Sequence, residues 1–261
     1  MPESSNFSTN QRQDQIVIRG CDGMAELQAC TELEKEIWRF EDRDVVPVRL
    51  YVIAQQIGGH VIGAFHENKL VGFAMSLPGV RTGRAYLYSR VLAVREDYRN
   101  AGLGRRLKLF QREEALSRGF DLIEWTFDPL EIKNAYLNIE RLGAIVRRYH
   151  VNQYGAFSSG LQGGLPSDRL VAEWWLHSHR VNTLIRSGTR PATITDGTIT
   201  VPAEIYKWKA SPVNRARAME VQAQNRQGFL EAFSRGLVVL GYEVDSKGNG
   251  QYLLGRWDEF E

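Results

Sequence analysis

Along the first 150 residues the apolar positions switch between a period of two and a period of three to four, and each switch predicts a change of element. Gln15–Arg19 reads as a short strand. Met24, Leu27, Cys30, Leu33, Ile37 and Trp38 then recur at helical spacing, and a second short helix is expected over Arg49–Gln56, after Pro47. Gly58-Gly59 precedes His60–Phe65, a strand by its alternation. Glu67-Asn68-Lys69 turns the chain and Leu70–Leu77 returns it, so this pair is expected to be a hairpin. Arg84–Val94 contains neither Gly nor Pro and predicts a long strand. Leu103, Leu107 and Phe110 restore the helical period, with a helix to Ser117 and Gly119 as its stop. Asp121–Phe127 is the next strand. Ile132, Ala135, Ile139 and Leu142 mark an amphipathic helix ended by Gly143, and Ala144–Val151 is a further strand. The order β-α-α-β-β-β-α-β-α-β is that of a mixed α/β layer fold.

Beyond Gly155 the pattern is less regular. Gly160–Pro166 reads as a loop, and Leu170–Leu176 suits a strand or a helix. Glu204–Lys209 reads as a strand and Arg215–Phe233 as a long, polar-surfaced helix. Leu237–Val244 with Tyr252–Arg256 reads as a hairpin around Lys247–Gly250. No Pro- or Ser-rich linker separates this part. The expected organisation is therefore a disordered lead-in over 1–14, a core over 15–155, and an extension of the same fold over 156–261 that helps to complete an acceptor site.

Composition narrows the function. The chain has 261 residues with 33 Lys plus Arg against 31 Asp plus Glu, a net charge of +2. That near-balance argues against a dedicated nucleic-acid binder, which shows a strongly basic face. No apolar run approaches the ~18–20 residues that span a bilayer, so no membrane partner is expected. The polar start, Met1–Asn10, lacks a secretory h-region. Cys21 and Cys30 are the only cysteines, too few for a disulfide framework, and a cytoplasmic location is the expectation. His60, His66, His150, His177 and His179 have no metal spacing with cysteines, so no metal is expected. Trp174-Trp175 suits a core better than a ligand platform.

The chemistry concentrates in Val94–Arg105. A strand runs into a loop with Gly102 and Gly104, and the loop opens a helix. Glycines let backbone N–H groups approach a ligand, and a helix N-terminus favours an anion. Arg99, Arg105 and Arg106 add positive charge, so a phosphate or pyrophosphate is expected here. The third glycine of a dinucleotide fingerprint is replaced by Leu107, and the Lys-Ser/Thr of a P-loop by Arg105-Arg106.

Arg99, Gly102 and Gly104 after a strand resemble the Arg/Gln-x-x-Gly-x-Gly pyrophosphate loop of the GNAT (GCN5-related) N-acyltransferase superfamily. Val91–Tyr98 is similar to that family's strand entry, with Glu96 at or beside its usual Pro. Asn134-Ala135 through Gly143-Ala144 looks like its next helix. Trp125–Leu130, Tyr149–Gly155, Gly58-Gly59, Val71–Phe73, Leu107-Lys108 and Asp168–Leu170 with Glu173-Trp174 resemble an uncharacterised branch of predicted GNAT acetyltransferases, so the likeness runs over residues 16–255.

The resemblance implies a GNAT-like acyl-CoA fold with a C-terminal αβ extension. Acetyl-CoA, or another acyl-CoA such as succinyl-CoA, would be the co-substrate, and a small-molecule amine, such as an amino acid, the acceptor. It implies a monomer or homodimer. Pantetheine would pair with the strand at Leu92, Ala93 and Val94. The pyrophosphate would lie on Arg99, Asn100, Ala101, Gly102, Leu103, Gly104 and Arg105, with Asn134 and Asn138 one helical turn apart facing the cleft. Transfer would be direct, from thioester to amine, with no covalent enzyme intermediate. The family's base positions fall on Arg90 and Tyr88. The branch carries His where Arg90 stands, and Arg cannot act as a base, although it binds carboxylates bidentately. The family's acid, a Tyr, is replaced by Ile139, leaving Tyr136 and Tyr149 nearby. Glu124, on the strand beside the cleft, is a further candidate base; Glu41 and Asp42 are candidates for shaping the acceptor pocket, and Asp128 for a helix cap or a substrate contact. The competing class is a non-catalytic acyl-CoA-binding sensor or scaffold, which would bind CoA without turnover.

Overall fold

The computed structural model describes residues 15–42, 44–155 and 163–257. The lead-in expected over 1–14 and part of the Gly160–Pro166 loop lie outside the described residues. The chain divides into two compact units, Met1–Ile123 and Glu124–Glu261.

The first unit contains β1 (Val17–Gly20), α1 (Gly23–Trp38), α2 (Val48–Gln56), β2 (His60–His66), β3 (Lys69–Arg81), β4 (Arg84–Val94) and α3 (Leu103–Ser117). Its strands pair antiparallel in chain order, β1-β2-β3-β4. Strand β3 outruns its predicted end at Leu77. Pro78 and Gly79 weaken an interior strand, but β2 stops pairing at His60↔Ser76, so residues beyond Ser76 pair only with β4 and Pro78 needs no second partner. Alternating residues feed two cores. Leu27, Cys30, Leu33, Tyr51 and Ala54 of α1 and α2 pack with Val61, Phe73, Met75, Val91 and Ala93. Leu103 and Leu107 of α3 pack with Ile62, Ala64 and Val71, flanked by Leu92 and Val94. The sheet is therefore covered on both faces, and each fully buried aliphatic or aromatic side chain contributes roughly 1.5–3 kcal/mol.

The second unit contains most of β5 (Leu122–Phe127), then α4 (Ile132–Ala135), which continues as a π-helical stretch, Tyr136–Arg141. Next come β6 (Ile145–His150), β7 (Arg169–Trp175), α5 (His179–Ser187), β8 (Gly197–Val201), α6 (Ile205–Ala210), α7 (Arg215–Ser234), β9 (Val238–Val244) and β10 (Gly250–Gly255). The strand order is β5-β7-β6-β9-β10-β8. Strand β6 pairs antiparallel with both β7 and β9, so residues before and after Gly155 share a sheet. Trp174, Phe229, Tyr242 and Tyr252 are fully buried here, and Trp174 donates its ring N–H to the Leu142 carbonyl at 2.6 Å.

Two readings change. Glu204–Lys209, expected as a strand, is helical: Ile205 and Lys209 are its buried positions, a spacing of four that a six-residue alternation hides. The helix α5 and strand β8 were not expected. Ser178 caps α5 by accepting from Val181 N at 3.2 Å, and Gly188, left-handed at φ 75°, ends it. Leu170–Leu176 resolves as strand β7. Among the described residues no helix is long and apolar enough to cross a membrane.

Candidate active site

The loop joining β4 to α3 has the backbone that the glycines require. Gly102 sits at φ 82° as the N-cap of α3, with no side-chain cap, and Asn100 is left-handed as well at φ 62°. Arg106 N bonds back to Gly102 O at 3.0 Å, so the N–H groups of the first turn, from Gly102 through Arg105, point along the helix axis without an intrahelical acceptor. A Cβ at Gly102 would meet no protein atom within 4 Å. The left-handed backbone, not crowding, explains the glycine. Arg99 is exposed and its Nε donates to Val94 O at 2.9 Å, pinning its side chain beside the strand end. Arg106 reaches back to Ile16 O at 3.0 Å. Ala101 is half-buried, Leu103 is a core residue, and Gly104 lies in the first turn. Fixed donors, a helix dipole and arginine charge converge on one small surface, which suits an anion.

Strand β4 is bulged. Val91 pairs with Met75 and Ser89 with Ser76, which leaves Arg90 as the extra residue. The bulge reverses the facing of the strand. Val91 and Ala93 pack under α1 and α2, yet Ser89 receives a bond from Lys108 of α3 at 3.1 Å. Tyr88 pairs with Leu77, which packs on the α1–α2 core, and is half-buried. Arg90 is exposed. Bulges re-aim side chains beside active sites, and this one lies four residues before the strand end that leads to the anion loop.

Two buried polar groups flank the bulge. On the α1 side, Glu34, 1% exposed, accepts from Val46 N and from Tyr51 OH, both at 3.1 Å. Burial raises its pKa, opposed by the Val46 N–H, the Arg90 charge and the Tyr51 hydroxyl. On the α3 side, Lys108 donates to Ser89 and to Gln111 Oε1 at 2.7 Å, and burial holds its ammonium well below the usual lysine range. Next to it, His60 opposes Ser76 and Ser76 opposes Ser89 across three strands. Both His60 ring nitrogens, Ser76 Oγ and Gln111 Nε2 have no hydrogen-bond partner among the described residues. Burial, with the Arg118 and Lys108 charges, lowers His60 to about 3.

The remaining candidates lie as follows. Glu124 is buried on β5 and bonded at 2.5 Å to Arg148, which also bonds Glu173. Asp128 accepts from Leu130 N at 2.8 Å, a turn-capping bond, and from Lys209 at 3.0 Å. Asn134 is exposed but Asn138 is buried, because the π-helical winding after Ala135 turns them off a common face. Tyr149 donates to Asp168 at 2.6 Å, Tyr136 is exposed and Ile139 is fully buried. Asp42 pairs with Lys35 at 2.8 Å on the surface. Among the described residues no His/Cys/Asp/Glu group could hold a metal ion. Glu34 and Lys108 were missed as candidates. The signal for Glu34 was available, since it stands four residues after Cys30 on the apolar face of α1.

The acetyltransferase (GNAT) family profile matches residues 26–136, which span α1 through the bulged strand, the anion loop and α4. Residues 26–136 thus carry the likeness to the GNAT acetyltransferase family. Solved GNAT structures repeat the fold. The chain is similar to yncA of Salmonella typhimurium, solved with acetyl-CoA, at 19% identity over 63% of this chain and 96% of that one, with a TM-score of 0.50. It is also similar to a GNAT-family protein of Desulfovibrio desulfuricans at 14% identity, covering 62% of this chain and 99% of that one, again with a TM-score of 0.50. The NatC complex bound to Gag peptide and CoA matches at 15% identity, 61% of this chain and 97% of that one, TM-score 0.50. More than a third of this chain thus falls outside each match. Among curated protein sequences, none matches.

Proposed function

We propose that this protein is an acyl-CoA-dependent N-acyltransferase that passes an acetyl group directly to the amine of a small molecule, with an amino acid as the favoured acceptor class. The observation that carries the reading is the uncapped N-terminus of α3 behind left-handed Gly102, at the end of a bulged strand. In this reading the N–H groups of Gly102 through Arg105, with Arg99, take the pyrophosphate, and the β4 backbone at Leu92–Val94 takes the pantetheine arm. Asn134 and Asn138 are proposed as further cofactor contacts, and Tyr88, Arg90 and Glu124 as the neighbourhood of the chemistry. Holding amine and thioester together and offering backbone donors to the developing oxyanion supplies most of the acceleration such a transfer needs. The extension over 156–261 is proposed to help shape the acceptor pocket.

One observation favours a second donor. Arg90 is an exposed guanidinium at the bulge, suited to a carboxylate on the acceptor or on the acyl group. Succinyl-CoA is therefore tested beside acetyl-CoA.

The experiment is thermal unfolding with CoA, acetyl-CoA and succinyl-CoA, in the native chain and in Gly102→Pro, followed by thiol release with an amino-acid pool. A ligand at about 100 times its Kd adds roughly 2.7 kcal/mol of stability. A rise in midpoint that Gly102→Pro removes, followed by amine-dependent thiol release, supports the enzyme. A rise without turnover supports a non-catalytic acyl-CoA binder, and no rise in a well-folded protein removes the acyl-CoA reading.

A further inference from the structure

Glu34 is the only buried carboxylate among the described residues of the first unit. Its setting is unusual for a structural acid. Tyr51, which donates to it, belongs to an apolar core with Leu33, Phe73, Met75 and Val91, and a leucine at this position of α1 would avoid desolvating a charge altogether. The two hydrogen bonds it receives come from neutral donors, and both end on Oε2. Oε1 is left without a donor among the described residues. Tying Val46 to α1 needs only an acceptor oxygen, which a neutral glutamine also offers. What a carboxylate adds is the capacity to take a proton.

The location matches that capacity. Tyr51, which donates to Glu34, packs edge-on against Phe73 with ring centroids 5.9 Å apart. Phe73 pairs with Ala93, and Met75 with Val91, so Glu34 and Tyr51 lie over the end of β4 next to the bulge. Arg90, the extra residue of that bulge, is near enough for its charge to act on the Glu34 carboxylate. The carboxylate is buried against the α1 side of the sheet and the guanidinium is exposed at the bulge.

We propose that Glu34 is the proton acceptor for the incoming amine and that Arg90 holds a carboxylate of the same molecule, so that the acceptor is a zwitterionic amino acid. This rests on the acyl-CoA reading above. The ammonium group gives one proton to Glu34 Oε1, directly or through one water. The freed amine attacks the thioester carbon; a C–N bond forms and the C–S bond breaks. The departing thiolate takes the second amine proton, leaving amide, free thiol and protonated Glu34, which returns its proton to solvent. Burial, by raising the Glu34 pKa, makes this carboxylate a stronger base than an exposed one.

The test uses the full chain and Glu34→Gln, which keeps an oxygen for Val46 N and Tyr51 OH. Stability, the acetyl-CoA-induced rise in midpoint, and the pH profile of kcat/KM are measured with amino acids and with their amides. The expected result is an unchanged midpoint rise, a fall in kcat of about 100-fold or more, and loss of the acidic limb of the profile. Arg90→Gln is expected to raise KM for the amino acids while leaving KM for the amides unmoved. Should Glu34→Gln lose its fold, Glu34→Asp serves instead, and is expected to lower kcat while retaining an acidic limb. Glu34→Gln activity within threefold of the native chain, with the acidic limb intact, overturns the assignment and makes Glu34 a tether. A native chain that neither binds nor turns over any acyl-CoA removes the underlying reading and this assignment together.

Discussion

The two units treat buried charge in opposite ways. In the second unit all four buried carboxylates among the described residues meet a cation: Glu124 meets Arg148, Asp128 meets Lys209, Asp168 meets Arg226, and Glu173 meets Arg147 and Arg148, none farther than 3.0 Å. In the first unit Glu34 is held by an amide and a phenol, and His60 has no partner at all among the described residues. Paired buried ions cost little more than a well-packed apolar core once formed, but breaking one leaves a stranded charge. Buried groups held by neutral donors, or by none, are costly in the resting fold and retain their ability to exchange protons. The second unit therefore uses charge to lock geometry. The first holds titratable groups beside the bulge of β4 and the uncapped N-terminus of α3.

The sharpest way to break this contrast is to remove one locked charge. Asp168, fully buried, accepts from Tyr149 OH, Asn152 N, and Nε and Nη2 of Arg226. Asp168→Asn is expected to destabilise by about 3 kcal/mol, since it strands Arg226 over a buried neutral amide. Glu34→Gln should cost about 1 kcal/mol or less, because its partners keep their acceptor. Denaturant unfolding of both variants measures the difference, and equal losses would erase the distinction between the units.

The next effect comes from His60. Its folded pKa of about 3 lies below the ordinary 6.5. The folded state therefore binds fewer protons than the unfolded chain, and the stability of the neutral ring is present above pH 6.5 and lost as pH falls toward 3. From pH 6.5 to 5 the loss is about 2 kcal/mol. His60→Leu should flatten that acid limb in unfolding curves recorded at the two pH values. An unaltered limb would place the acid sensitivity in another group.

Gly102 gives a smaller effect on stability and a larger one on binding. With no protein atom within 4 Å of an added Cβ, Gly102→Ala meets only the left-handed backbone, at roughly 1–2 kcal/mol. Its midpoint without ligand should fall slightly, and its acetyl-CoA-induced rise should shrink, as calorimetry or a melting series would show. A full rise in this variant would move the pyrophosphate off the loop.

Much of this was legible in the sequence because it is local. Predicted Arg84–Val94 is strand β4 residue for residue, and α3 begins and ends where Leu103 and Gly119 place it. Glycine positions report backbone angles directly, so the left-handed turn at Gly102 was readable without neighbours. What failed depended on tertiary partners. The bulge at Arg90 exists only in the register against β3, and no periodicity in β4 announces it. The π-helical winding that separates Asn134 from Asn138 is likewise invisible to a 3.6-residue count. Glu34 was only half legible: its place four residues after Cys30 on the apolar face of α1 could be read, but its partners Val46 and Tyr51, 12 and 17 residues further on, could not.

The smallest expected effect tests the same contrast from its exposed end. Asp42 shares the acidic character of Glu34 and lies on the connection after α1, where an acceptor pocket was expected. Its side chain is 90% exposed and pairs with Lys35, itself 37% exposed. That surface pair holds its carboxyl below the usual range through the Lys35 bond and charge, but water screens such pairs well. Asp42→Asn should leave the unfolding midpoint unmoved, and kcat/KM should change less than its salt dependence does. If this variant instead lost turnover as Glu34→Gln is expected to, solvent-exposed charge on the α1–α2 connection would be guiding the acceptor, and burial would cease to be the feature that separates the acid that does chemistry from the acid that does not.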